Sequence, residues 1–134
     1  MPRILLAYDG SEPCRHAASQ AAELAVREAV PVDVLVVGEL APSGYGTETP
    51  IVEPEVFTQV AEEGVELLRT LGVSAHGHVV WGRPAEEIVK AAEEGGYGTV
   101  VLGHAGHGRL EALLLGSVAK HVIDHAHCSV LVVR

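Results

Sequence analysis

Five short apolar runs constrain this chain more than any other feature. They are Arg3–Tyr8, Val32–Val37, Val73–Trp81, Tyr97–Leu102 and Cys128–Val133. Between them lie four stretches whose apolar residues recur at helical spacing. Short, nearly continuous apolar runs are the mark of strands buried on both faces, as in parallel sheets. Strands that alternate with helices of this length require parallel pairing and right-handed crossovers. The expected fold class is therefore α/β, a three-layer α/β/α architecture around a five-stranded parallel sheet. Ligands in such sheets bind beyond the carboxyl ends of the strands, where the strand order reverses. Asp9, Gly38, Trp81-Gly82 and Gly103 all fall at such ends.

The boundaries carry their own chemistry. Asp9-Gly10-Ser11 breaks the first run, with Ser11 as an N-cap and Pro13 in the first helical turn. Ala17, Ala18, Ala21, Ala22, Leu24 and Ala25 then form a small-residue face suited to close packing on a sheet, and Pro31 ends that helix. Pro54 opens a second helix with the stripe Phe57, Val60, Ala61, Gly64, Leu68 and Leu71, and Gly72 fits its C-terminal cap. Pro84 suits the first position of a third helix, where Glu86 and Lys90 are spaced as an i,i+4 pair, and Gly95-Gly96 closes it. A fourth helix carries Val118, Val122 and Ile123. The turn-rich stretch from Gly38 to Glu53 is long for a loop, and it reads equally as a functional loop or a surface insertion.

Composition narrows the function. The length of 134 residues suits one domain, 1–134, and 48% hydrophobic content with only 4% aromatics implies a core of Ala, Val, Leu and Ile. A net charge of −9 gives no broad field for nucleic acid, so any bound phosphate needs a local donor site. Cys14 and Cys128 lie in different elements and read as two reduced thiols. No apolar run approaches the ~18 residues of a membrane span, and no leader pattern precedes the first strand, so the expected location is the cytoplasm. His121 and His125, and His76 and His78, are spaced to share a face, but without a matched Cys or carboxylate they read as surface residues rather than a metal site.

The fourth strand empties into Gly103-His104-Ala105-Gly106, and the stretch runs on to Gly116-Ser117-Val118, where a helical pattern with Val118, Val122 and Ile123 begins. Glycines let backbone N–H groups approach an anion, and a helix N-terminus adds unpaired donors. No G-x-x-x-x-G-K-[ST] occurs, and the glycines run in the wrong order for a dinucleotide fingerprint. The full pattern is G-x2-G-x9-G-S, from Gly103 through Gly106 to Gly116-Ser117.

At these residues the chain resembles the universal stress protein family of the nucleotide-binding type. The likeness spans Ala7-Tyr8-Asp9-Gly10-Ser11, Val80 to Ile88, Leu102 to Gly106 with Leu114 to Val118, and Val130 to Val133. It implies a sheet ordered 3-2-1-4-5, an adenine-nucleotide α-hydrolase-like fold, with ATP across the ends of strands one and four. By position it places Ala7 and Asp9 beside the adenosine, Gly38 against the adenine and Leu102 in the pocket. Gly103, Gly106, Gly116, Ser117 and Val118 would hold ribose and phosphates. Gly38 stands where the family often has a branched apolar residue, and His107 where Lys or Arg is frequent. A histidine there implies nucleotide affinity that rises as pH falls through ~6.5. The likeness also implies a homodimer paired through the last strand.

Three readings follow: an ATP-binding regulatory module, a slow ATPase on the same scaffold, or an interaction protein with an unused site. Phosphoryl transfer needs an activating group and charge on the transferred phosphoryl. No such base stands out; an Asp at a strand end often caps the following turn, and only the family resemblance favours a binding role for Asp9. Mg²⁺ carried by the phosphates needs few protein ligands. The intact glycine pattern ranks the binding module first.

Overall fold

The computed structural model describes residues 2–42, 48–50, 53–105 and 115–134. In chain order these form β1 (Ile4–Ala7), α1 (Glu12–Glu28), β2 (Val32–Gly38), β3 (Leu40–Pro42), β4 (Glu48–Pro50) and α2 (Pro54–Thr70). Then come β5 (Ala75–Trp81), α3 (Pro84–Glu94), β6 (Thr99–Gly103), α4 (Ser117–His125) and β7 (Ser129–Val133). The main sheet is five-stranded and parallel, in the order β5-β2-β1-β6-β7. Counting only its own strands, that is 3-2-1-4-5, the order the resemblance implied. α1 and α2 cover one face, and α3 and α4 the other.

β1 sits at the centre because it is apolar throughout, and all four of its residues are buried. Its neighbours are β2, with Leu6 beside Val34, and β6, with Leu6 beside Val101. The alanine face of α1 is wholly buried, as its small residues required. Gly64 shows how close α2 comes, since an added Cβ would lie 3.0 Å from the Tyr8 ring and 3.1 Å from Val34.

Several local expectations are corrected. Ser11 occupies the N-cap position of α1, but its side chain makes no capping bond; the Asp9 carboxylate instead accepts the Ser11 N–H at 2.8 Å. α1 stops at Glu28, with Ala29 in the left-handed region, because the residue ahead of Pro31 is steered out of helical geometry. Leu71 and Ile123, expected on buried stripes, are 44% and 47% exposed: Leu71 lies past the end of α2, and Ile123 faces outward on α4. Glu86 pairs with Arg83 at 3.7 Å, an exposed contact worth little. The stretch between Gly38 and Glu53 is not all loop, for β3 and β4 pair antiparallel with Leu40 opposite Pro50.

At the amino ends of the strands, Asp33 is buried in β2. It accepts from Arg3 Nη1 at 2.7 Å and from the Tyr97 hydroxyl at 2.5 Å, and the Arg3 guanidinium lies 4.5 Å over the Tyr97 ring. These contacts tie β1, β2 and the entry to β6 together at the end of the sheet away from the glycine loop.

Candidate functional site

At the carboxyl ends of β1, β2 and β6 the sheet opens into a cavity of about 470 Å³. Volumes in this range suit a small-molecule ligand. It forms where the crossovers diverge: β1 leads into α1 on one face, and β6 leads toward α4 on the other. Ala7, Tyr8 and Asp9 form its floor, with Leu102, Gly103 and Ala105 beside them. Val36, Val37 and Glu39 bound it from β2 and the residue after it. Val56, Phe57 and Val60 wall it from the first turns of α2, and Pro84 and Ile88 from α3. Ser117, Val118 and Ala119 close it from α4.

The α4 end is the polar end. An α-helix leaves its first N–H groups without helical partners. In α4 the Lys120 N–H already reaches the Gly116 carbonyl at 3.0 Å, so the groups ahead of it are those of Ser117, Val118 and Ala119. All three of those residues are cavity wall. Gly116 positions them: its N–H donates to the His104 carbonyl at 2.7 Å, and an added Cβ would lie 3.2 Å from that carbonyl oxygen. His104 is itself held by its N–H to the Val133 carbonyl at 2.8 Å, so the start of α4 is braced against the end of β7. Among the described wall residues the charged groups are Asp9 and Glu39, with no Lys or Arg.

The residues expected from sequence divide clearly. Ala7, Asp9, Leu102, Gly103, Gly116, Ser117 and Val118 all line the cavity. Gly38 is buried and does not; its neighbours Val37 and Glu39 do. Gly106 and His107 lie outside the described residues. The residues that sequence reasoning missed include Val56, Phe57 and Val60 of α2, Leu35 to Val37 of β2 with Glu39 after it, and Pro84 and Ile88 of α3. Phe57 and Val60 belong to the apolar stripe of α2, and the first turns of that helix reach the cavity. Tyr8 was also missed, although an aromatic with a polar tip at a strand end was a usable signal.

Tyr8 anchors α2 from below. Its hydroxyl donates to Glu63 Oε1 at 3.0 Å, and Arg15 Nη2 reaches the same oxygen at 3.0 Å. Burial, then the bond to Glu63, pushes the Tyr8 phenol up to about 12. Burial, then Asp33, does the same for Tyr97. An unfolded tyrosine ionises near ~10. The stability these protons supply is therefore full below pH ~10 and is lost as pH rises through about 12. The expected result is a urea midpoint that falls between pH 10 and 12, and a phenolate absorbance step near 12 that Tyr8→Phe reduces and Tyr8→Phe with Tyr97→Phe removes. Ionisation of every tyrosine near 10 in the folded protein would contradict it.

Both cysteines are free, Cys14 buried on the cavity wall and Cys128 partly buried. Burial, reinforced by the Asp9 carboxylate, pushes the Cys14 thiol up to about 12, so it is a packing group rather than a nucleophile at neutral pH. Among the described residues no three His, Cys, Asp or Glu side chains are gathered to hold a metal ion. His121 and His125 stack at 4.1 Å on the outside of α4, and His76 and His78 approach Asp33 at 4.0 and 3.9 Å. No helix among the described residues is long and apolar enough to cross a membrane.

The whole chain, residues 1–134, matches the model of the universal stress protein family. It is 34% identical over 139 residues to Universal stress protein MJ0531 of Methanocaldococcus jannaschii, covering 98% of this chain and 81% of that protein. Against Universal stress protein YxiE of Bacillus subtilis it is 33% identical over 145 residues, with 98% of each covered. Among solved structures it is similar to the universal stress protein from Archaeoglobus fulgidus in complex with dAMP. That likeness has a TM-score of 0.73 and 26% identity, over 100% of this chain and 98% of that one.

Proposed function

The chain belongs to the universal stress protein family, and from that membership we propose that it is a cytoplasmic ATP-binding regulatory module that holds its nucleotide rather than consuming it. The observation that carries this reading is one cavity with two unlike ends. Val56, Phe57 and Val60 offer an apolar wall for a base, and the α4 N-terminus offers backbone donors for phosphate. A relative in complex with dAMP supports an adenine nucleotide as the ligand class. Asp9 and Glu39 beside donors that carry no permanent charge favour a nucleotide whose phosphates arrive with Mg²⁺. Holding fits better than turnover: the Asp9 carboxylate is engaged by the Ser11 N–H, and no described wall residue supplies the cation that phosphoryl transfer needs.

The test is calorimetric titration of the native protein with ATP, with and without Mg²⁺, at pH 6 and pH 8, alongside mass spectrometry of what co-purifies. Saturable one-to-one binding with no phosphate release supports the module. Steady phosphate release would favour the slow ATPase. No binding up to ~1 mM ATP would favour an interaction protein with an unused site. Tighter binding at pH 6 than at pH 8 is the result expected from His107, and equal affinities would remove it from the site.

We further propose a homodimer paired through β7, an edge strand of the sheet. The Ser129 N–H donates toward β6, to the Gly98 carbonyl at 3.2 Å. Alternation along the strand then turns the Val132 N–H to the outer edge. Val132→Pro removes that outward donor and leaves the β6 ladder intact, as edge strands tolerate. The expected result by light scattering is a folded monomer, and a dimer that persists would refute β7 pairing.

A further inference from the structure

Gly38 and Trp81 face each other across the β2–β5 ladder. A Cβ built on Gly38 would lie 2.5 Å from Cζ3 and 2.6 Å from Cε3 of Trp81. The indole therefore takes the volume that a side chain at position 38 would fill. Its ring also meets Phe57 edge to face, with centroids 5.2 Å apart and planes at 77°. That is a favoured aromatic geometry. Phe57 is cavity wall, whereas Trp81 and Gly38 stand behind it.

We propose that Trp81 is a positioning residue for the nucleoside end of the cavity: packed on Gly38, it sets the Phe57 ring against the base. This rests on the nucleotide reading above. Phe57 lies in the first turns of α2 and is only half-buried, so its ring needs a fixed partner to present one face to a ligand. Trp81 is that partner because the glycine opposite it in register admits the indole against the β2 backbone. A branched residue at 38 would push the indole away and free the Phe57 ring. The chain thus shapes the base site from behind, with a side chain that touches no ligand.

The experiment is a double-mutant cycle on ATP affinity in the full chain, using native protein, Trp81→Ala, Phe57→Ala and the double variant, with Trp81→Phe as the conservative control. Circular dichroism at the titration temperature confirms the fold of each. Trp81→Ala is expected to weaken ATP about threefold to tenfold in the native background and less than about twofold in the Phe57→Ala background. Trp81→Phe keeps affinity within about twofold, because an aromatic edge remains. A Trp81→Ala effect that is absent, or equal in both backgrounds, overturns the proposal. Native protein that binds no ATP overturns the nucleotide reading and this one with it.

Discussion

Leu6→Ala is expected to lower the unfolding free energy by about 2–5 kcal/mol, at the upper end of that range. Leu6 lies mid-strand in β1, between β2 and β6, and its exposure is 0%. The α1 side of its cluster is built from small side chains. Ala17, Ala18, Ala21 and Ala22 of α1 belong to it, and an alanine has no rotamer with which to refill a void. The cost is then the lost transfer of the deleted atoms together with a cavity that stays open. Domains of this size have about 5–15 kcal/mol in total, so the variant sits near the edge of folding. Urea unfolding at constant m-value measures it. A loss under about 1 kcal/mol would mean that the sheet and α1 collapse onto the gap, contrary to the packing described.

Gly103→Val is expected to weaken the proposed ATP binding by at least about tenfold and to cost about 1–3 kcal/mol of stability. The cause is contact rather than backbone conformation. A Cβ on Gly103 would lie 2.8 Å from Pro13 Cβ, 2.9 Å from the Pro13 carbonyl carbon and 3.1 Å from its oxygen. Two of those atoms are backbone of the first turn of α1, which cannot swing aside as a side-chain tip can. Either α1 or the end of β6 must move, and both Cys14 and Gly103 are cavity wall. Gly72→Ala is the control. Its φ of +84° favours glycine, but an added Cβ meets nothing within 4 Å, so its cost of about 1 kcal/mol is conformational and leaves ATP affinity unchanged. Equal ATP affinities for Gly103→Val and native protein would place the nucleotide elsewhere.

The helices and strands were legible wherever one local pattern decided them. Pro54 and Pro84 open α2 and α3 where expected, and the alanine face of α1 is buried in full. Errors arose where a local signal competed with geometry. Ser11 stands at the cap position, but its side chain makes no capping bond, and its own N–H is taken by the Asp9 carboxylate. Leu71 continues an apolar period beyond the point at which α2 stops.

The candidate site divides along the same line. Asp9, Gly103, Gly116, Ser117 and Val118 were readable because each sits at a strand end or helix start, which the adjoining residues reveal, whereas Ala7 and Leu102 came only from the family resemblance. The apolar wall was not readable. Phe57 and Val60 look like any other members of an amphipathic stripe until the sheet shows which turns of α2 overhang its carboxyl edge.

By itself the sequence determined the alternation of strands and helices, and with it a parallel sheet whose carboxyl ends gather the glycine loop. Periodicity, proline and glycine act over a few residues, so neighbouring sequence contains their causes. Only the tertiary structure decided the partnerships. Tyr8 meets Glu63 from 55 residues away, Asp33 meets Tyr97 from 64, and Trp81 fills the space over Gly38 before meeting Phe57. Those contacts depend on which strands lie side by side and in what register. That choice is made by burial summed over the whole sheet, which no short stretch of the chain encodes.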